Sequence, residues 1–177
     1  MPLNRLEIFA EKLRPLLDPG ESPRFLGTAM YVAGDEQLGP DRPRFDVDLD
    51  LLDVVLGLPV PFLQSKANEF LIGHSLVGDH GCQAEALSRI LDGIPDLLIT
   101  DRRLLVVTQE GQEFRILWQA PRAAVLAAAM APRLGQMGRV RLVLSDGSGI
   151  AIVLGLVFPG RARRFLAALQ PMAGELR

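Results

Sequence analysis

Residues 97–108 read LLITDRRLLVVT, two apolar runs split by Asp101, Arg102 and Arg103. Neither run alternates apolar with polar residues. Each therefore predicts a short strand covered on both faces rather than a half-exposed one. The three charges between them predict a turn whose side chains stand in water at a hairpin tip. Two antiparallel buried strands in the middle of a core follow from these twelve residues.

Strand signals continue downstream. Glu110, Gly111 and Gln112 make a turn, and Phe114, Ile116 and Trp118 mark the next strand. Residues 122–129 are rich in alanine, a helix former, but their short run between Pro121 and Pro132 predicts a strand. Residues 140–144 form another, flanked and interrupted by Arg139 and Arg141. The dipeptide Asp146-Gly147 is the strongest hairpin signal in the chain, and 150–154 pairs back after it. Ala162, Phe165, Leu166 and Leu169 then predict a closing amphipathic helix over 160–170.

Upstream, Leu3, Leu6, Phe9, Leu13 and Leu17 recur at helical spacing, and Pro15 ends that helix. Residues 24–33 predict one strand and 34–44 a polar loop. In 45–52, FDVDLDLL, apolar residues alternate with aspartates, which predicts a half-exposed strand with an acidic face. The prolines of 57–62 exclude a helix interior or a central strand. Residues 82–91 predict a short helix ended by Gly93 and Pro95.

The chain has 177 residues, 49% hydrophobic and 23% charged, which suits one domain (1–177) with a substantial core and excludes global disorder. A net charge of −2 lacks the basic footprint of a nucleic-acid binder, so no nucleic-acid partner is expected. Cys82 is the only cysteine, so no intrachain disulfide forms. The start MPLNRLEIFAEKLR carries charges every few residues and no signal-type apolar core. The nine-residue apolar runs at 123–131 and 150–158 fall short of the roughly 20 residues of a spanning helix. A soluble, cytoplasmic protein is the expectation.

Candidate chemistry is sparse. His74, Asp79, His80 and Cys82 lie within nine residues and are of zinc-ligand type, but H-x5-H-x-C has no second half-motif to complete four donors. The same loop is where a Cys–His nucleophile pair would sit, at a helix start that lowers a thiol pKa. Asp46, Asp48, Asp50 and Asp53 resemble a calcium loop only superficially, since its required glycine and closing carboxylate are replaced by Leu51 and Gly57. Arg161, Arg163 and Arg164 open the last helix, where cations oppose the helix dipole. An acidic face of the chain, an anionic head group or a phosphate would offset them, and Arg102 and Arg103 would join the patch if the hairpin tip lay nearby. No phosphate loop, nucleophile elbow or His-Glu-x-x-His occurs, so neither an enzyme nor a cofactor is expected.

The stretch Leu97 to Leu104 with its Thr100, Asp101, Arg102 and Arg103 turn, then Gly111 with Phe114, then Val143, Leu144, Ser145, Asp146, Gly147 and Ser148, then a helix around Phe165 and Leu166, resembles the pleckstrin-homology-like superfamily, in particular bacterial PH and GRAM-like domains. The resemblance spans 96–170, with a looser match over 18–33. It implies an α+β fold: an antiparallel β-roll or barrel capped by a C-terminal helix, with an N-terminal helix over 1–17 and a packed insertion over 34–95. A fold of this kind does not fix an activity. No lysine-rich phosphoinositide motif follows the first hairpin.

Together these features predict a non-catalytic binding module for protein–protein interaction or self-association. An exposed strand edge or the insertion would serve, and the apolar 54–62 stretch, VVLGLPVPF, suits a partner. One alternative is peripheral binding to an anionic membrane surface through the arginines. Another is an enzyme or metal site in the 74–82 loop.

Overall fold

The computed structural model describes residues 5–34, 36–40 and 74–170. The acidic 45–52 strand, with Asp46, Asp48, Asp50 and Asp53, and the apolar 54–62 stretch lie outside the described residues.

The chain opens with α1 (Arg5–Leu13), which Pro15 tightens into a 3-10 turn at Arg14–Leu16. Among the described residues four strands precede the next helix: β1 (Pro23–Thr28), β2 (Met30–Tyr31), β3 (Glu36–Leu38) and β4 (Leu76–Gly78). Helix α2 (Gln83–Leu91) follows. Six strands then run in succession: β5 (Asp96–Thr100), β6 (Arg103–Glu110), β7 (Glu113–Pro121), β8 (Val125–Met130), β9 (Arg139–Leu144) and β10 (Gly149–Val153). Helix α3 (Gly160–Leu169) closes the described chain. The six later strands match the sequence expectation. The early part differs: the single strand over 24–33 breaks at Ala29 into β1 and β2, and the polar loop contains β3.

The strands form two sheets. One has the order β1-β5-β6-β7 and is antiparallel throughout. The other has the order β3-β4-β10-β9-β8, with β2 also on β10; β3 and β4 pair in parallel and the rest antiparallel. The expected barrel is not closed. Among the described residues β7 pairs only with β6 and β8 only with β9, so no ladder joins the two sheets there. Pro121 and a 3-10 turn at Arg122–Ala124 separate them, and proline has no N–H to continue a ladder.

The first sheet is covered on both faces. Leu97, Ile99, Leu104 and Val106 point into the main core, where the second sheet, α2 and α3 contribute Leu142, Ile152, Leu87 and Phe165. Leu98, Leu105 and Val107 point the other way, against Leu13, Phe9 and Leu6 of α1. This double coverage is the physical reason that 97–108 contains unbroken apolar runs. The Arg5 guanidinium fixes α1 to the sheet edge with paired 2.7 Å bonds to Asp96 and a 2.8 Å bond to Thr28. On the inner side Phe165 of α3 is fully buried and meets Phe25 edge-on, with ring centroids 5.5 Å apart.

Candidate functional site

Of the charges of the opening turn, Arg102 stands in water as expected, while Asp101 and Arg103 are half-buried and partnered. The Thr100 hydroxyl accepts from the backbone N–H groups of Arg102 and Arg103, at 3.1 and 2.7 Å, and closes the turn. That same hydroxyl donates to Glu21 Oε1 at 2.5 Å. The guanidinium of Arg103 forks onto the Glu21 carboxylate, with Nε 2.9 Å from Oε1 and Nη2 bonded to Oε2. It also donates to the Leu16 carbonyl and the Gln119 side chain. Asp101 pairs with Ser22 through both its N–H and its carboxylate. The 97–108 turn is thus clasped onto the 18–22 turn. Burial works to raise the Glu21 pKa, but the bonds from Arg103, Thr100 and the Asp18 N–H, with the Arg103 charge, outweigh it and hold the carboxyl at about 2. Arg103 is therefore committed to a structural pair. Arg102 is exposed and donates weakly to the Pro19 carbonyl.

Arg161, Arg163 and Arg164 are exposed on the first turn of α3, which has no acidic residue and no side-chain cap. The stem of Arg161 lies over Gly27, whose partner on β5 is Leu97. The clasp sits at the other end of that pairing, where Pro23 meets Thr100. Four residues of strand, roughly 13 Å, separate the two arginine groups.

The 74–82 loop contains β4 and leads into α2. Cys82 is the N-cap of that helix: its sulfur accepts from the Glu85 N–H at 3.4 Å, and the Glu85 carboxylate takes the Gly81 N–H at 2.6 Å. This resembles a capping box with cysteine in place of serine, except that the carboxylate takes the N–H of Gly81, one residue before the cap, while the Cys82 N–H bonds to the Asp79 carbonyl. The next helix N–H groups are used as well, Gln83 by Asp146 at 2.7 Å and Ala84 by the Ser148 hydroxyl at 3.2 Å. His80 is exposed beside Gly39, while the His74 carbonyl faces Arg139 and Arg141. Among the described residues no three His, Cys, Asp or Glu side chains are gathered as a metal would require.

Two surfaces missed in the sequence stand out. The loop after β8 and the loop after β10 are joined by the Met137 N–H on the Leu156 carbonyl at 2.9 Å and the Gly138 N–H on the Gly155 carbonyl at 2.8 Å. Together they expose Leu134, Met137, Leu156, Val157 and Phe158, the last at 79%. Five large apolar side chains on adjoining loops are a patch, unlike single exposed residues. The second surface is β8 itself, the end strand of its sheet, with six uncharged residues VLAAAM, all partly exposed. Because the Ala131 N–H bonds to the Arg139 carbonyl, the antiparallel alternation turns the N–H groups of Ala128 and Met130 outward. At the start of β8 a shallow groove of about 560 Å³ is lined by Trp118, Ala120, Pro121, Ala124, Ser145 and Gln83. The Gln83 Oε1 is buried and has no donor.

No family model, curated protein or solved structure matches this chain. No helix among the described residues is long and apolar enough to cross a membrane.

Proposed function

We propose that this chain is a non-catalytic interaction module that receives an extended segment of protein, in the simplest case a second copy, along β8 and the adjoining apolar loops. The clustered exposure of Leu134, Met137, Leu156, Val157 and Phe158 beside an end strand carries this reading. An added strand would satisfy the outward N–H groups of β8, while the apolar loops supply area. The free edge of β7, by contrast, carries Glu113 and Arg115, the kind of charge that discourages pairing. Support for a PH-like roll comes from connectivity: β1 with β5, β6 and β7, then β8, β9 and β10, then one helix packed on β1, β5 and β8.

Sedimentation velocity over a concentration series tests the proposal. The expected result is a concentration-dependent rise in mass that Phe158→Asp and Ala128→Pro each abolish. Phe158 is exposed and Ala128 presents its N–H outward, so neither change removes a ladder bond. If the wild type is monomeric throughout, capture from lysate of the source organism is compared with the two variants. An identical set of bound proteins in all three overturns the proposal.

A second reading is favoured by one observation: Arg161, Arg163 and Arg164 follow Phe158 within six residues, so cations adjoin the apolar patch. An anionic bilayer would accept both. Co-sedimentation with vesicles containing phosphatidylglycerol, but not with phosphatidylcholine alone, and its loss on replacing the three arginines, would favour this reading over the first.

A further inference from the structure

Between Arg122 and Gln170 the chain carries seven arginines and one acid, Asp146, a net +6. The other residues carry 12 cations and 20 acids, a net −8. The overall charge of −2 therefore conceals two parts of opposite sign. The basic part is the one that contains β8, the apolar loops and α3. Arg139 and Arg141 are buried within it. Arg122 and Arg133 bracket β8, one just before the strand and one in the loop after it. Arg161, Arg163 and Arg164 are exposed at the start of α3, which packs on β8. The start of a helix is already the positive end of its dipole, so the three cations add to one field. Asp146 does little to balance it. Its carboxylate already accepts from the Gln83 N–H at 2.7 Å and from the Ser148 N–H and hydroxyl at 3.0 and 2.6 Å.

From this charge pattern we infer that the segment received along β8 is acidic: an extended stretch of another protein, with apolar residues for the loops and carboxylates for the arginines. The inference rests on the reading of β8 given above and adds the sign of the partner. The outward N–H and C=O groups of Ala128 and Met130 take backbone partners, which any extended sequence supplies. Side chains must therefore decide which sequence binds. Those of β8 itself, VLAAAM, are uncharged, so selection by charge falls to the arginines around it. Opposite potentials favour encounter with an acidic segment and disfavour a basic one. A bilayer would accept the arginines but offers no N–H to the outward carbonyls of the strand. A second copy pairing β8 to β8 brings the same arginines with it and is the weaker occupant.

Selection of a phage-displayed library of random dodecapeptides on the full chain tests this. The enriched peptides are expected to combine apolar residues with net negative charge. A synthetic, labelled copy of the most enriched peptide is then titrated by fluorescence anisotropy. Changing Arg161, Arg163 and Arg164 together to glutamine weakens its binding about tenfold, the size expected of three exposed ion pairs. The difference closes as sodium chloride is raised toward about 1 M, where charges are screened within roughly 3 Å. Ala128→Pro abolishes binding, and Phe158→Asp, on an exposed side chain, gives the same loss if the proline variant does not fold. Neutral or basic enriched peptides, or equal affinity for the wild type and the triple variant, overturn the inference. If Ala128→Pro or Phe158→Asp still abolishes binding in that case, the strand reading stands without it. Binding that survives both of these changes, or no enrichment at all, overturns the two together.

Discussion

Replacing Glu21 with glutamine tests whether the 97–108 turn is held by charge rather than merely exposed to solvent. The carboxylate side chain is fully buried, forked by Arg103 and bonded by Thr100, and its pKa falls from 4.5 to about 2. A depression of that size corresponds to about 3 kcal/mol of stability. Because the folded pKa lies below the unfolded one, the contribution is complete above the unfolded value of 4.5 and disappears as pH falls toward about 2. More than half of it is gone by about pH 3. Glu21→Gln keeps the shape but leaves the Arg103 guanidinium, only 18% exposed, without its main counter-charge. We expect urea unfolding at pH 7 to show a loss of about 3 kcal/mol, within the range for breaking a buried pair from one side. Other carboxylates titrate in the same window, so the measurement that matters is the difference between wild type and variant as a function of pH. That difference should shrink steadily from pH 5 to pH 2. The double variant with Arg103→Met should lose less than the sum of the single losses, with a coupling of about 2 kcal/mol. A gap between wild type and Glu21→Gln that stays constant down to pH 2, or additive losses in the cycle, would refute the clasp.

Three further outcomes follow from the packing. Phe165→Ala removes a fully buried ring that meets Phe25 edge-on and should cost about 3–5 kcal/mol by chemical denaturation. Gly138→Ala should destabilise by about 2 kcal/mol, because its methyl would meet the Gly155 carbonyl oxygen at 2.5 Å and the Gly155 nitrogen at 2.9 Å, both backbone atoms that cannot rotate away. Cys82→Ser should be neutral or stabilising, since serine is a better cap, whereas Cys82→Val should cost about 1 kcal/mol by thermal melting.

The strands after residue 96 were legible because each is bounded by a turn with its own chemistry. Gly111 and Gly147 occupy left-handed conformations, at φ +63° and +76°, where glycine carries no side-chain penalty. The short strands β2, β3 and β4 were not legible. None is longer than three residues, too short for a period to appear, and each exists only because β10 or a neighbour offers it a ladder. The cap at Cys82 was readable in principle, since Cys82 and Glu85 stand at capping-box spacing, but cysteine is not among the residues that usually mark a helix start. Asp101 and Arg103 were misplaced, though Arg102 was not, because the partner of Arg103, Glu21, lies 82 residues away, and no local pattern carries a contact of that separation. The apolar patch went unseen for a related reason. The 150–158 run is apolar throughout and gives no sign of where burial ends, yet the ladder stops at Val153 and Leu156, Val157 and Phe158 are exposed.

The placement of α3 explains why clasp and patch can serve separate ends of the molecule. The helix begins with Arg161 over Gly27 and ends with the Gln170 carbonyl accepting from Arg24. It therefore runs back along β1, toward the end at which Pro23 and Thr100 are clasped. Phe158 and the exposed arginines stand at its start, and the Glu21–Arg103 pair lies beyond its finish. Between them the buried contacts of Phe165 and Ala162 anchor the helix to the sheet. The loops after β8 and β10 thus rest on backbone fixed by β9 and β10, while the ionic contacts that fasten α1 and the first sheet lie elsewhere. Rigid support behind exposed apolar side chains would limit the ordering cost of the docking proposed above.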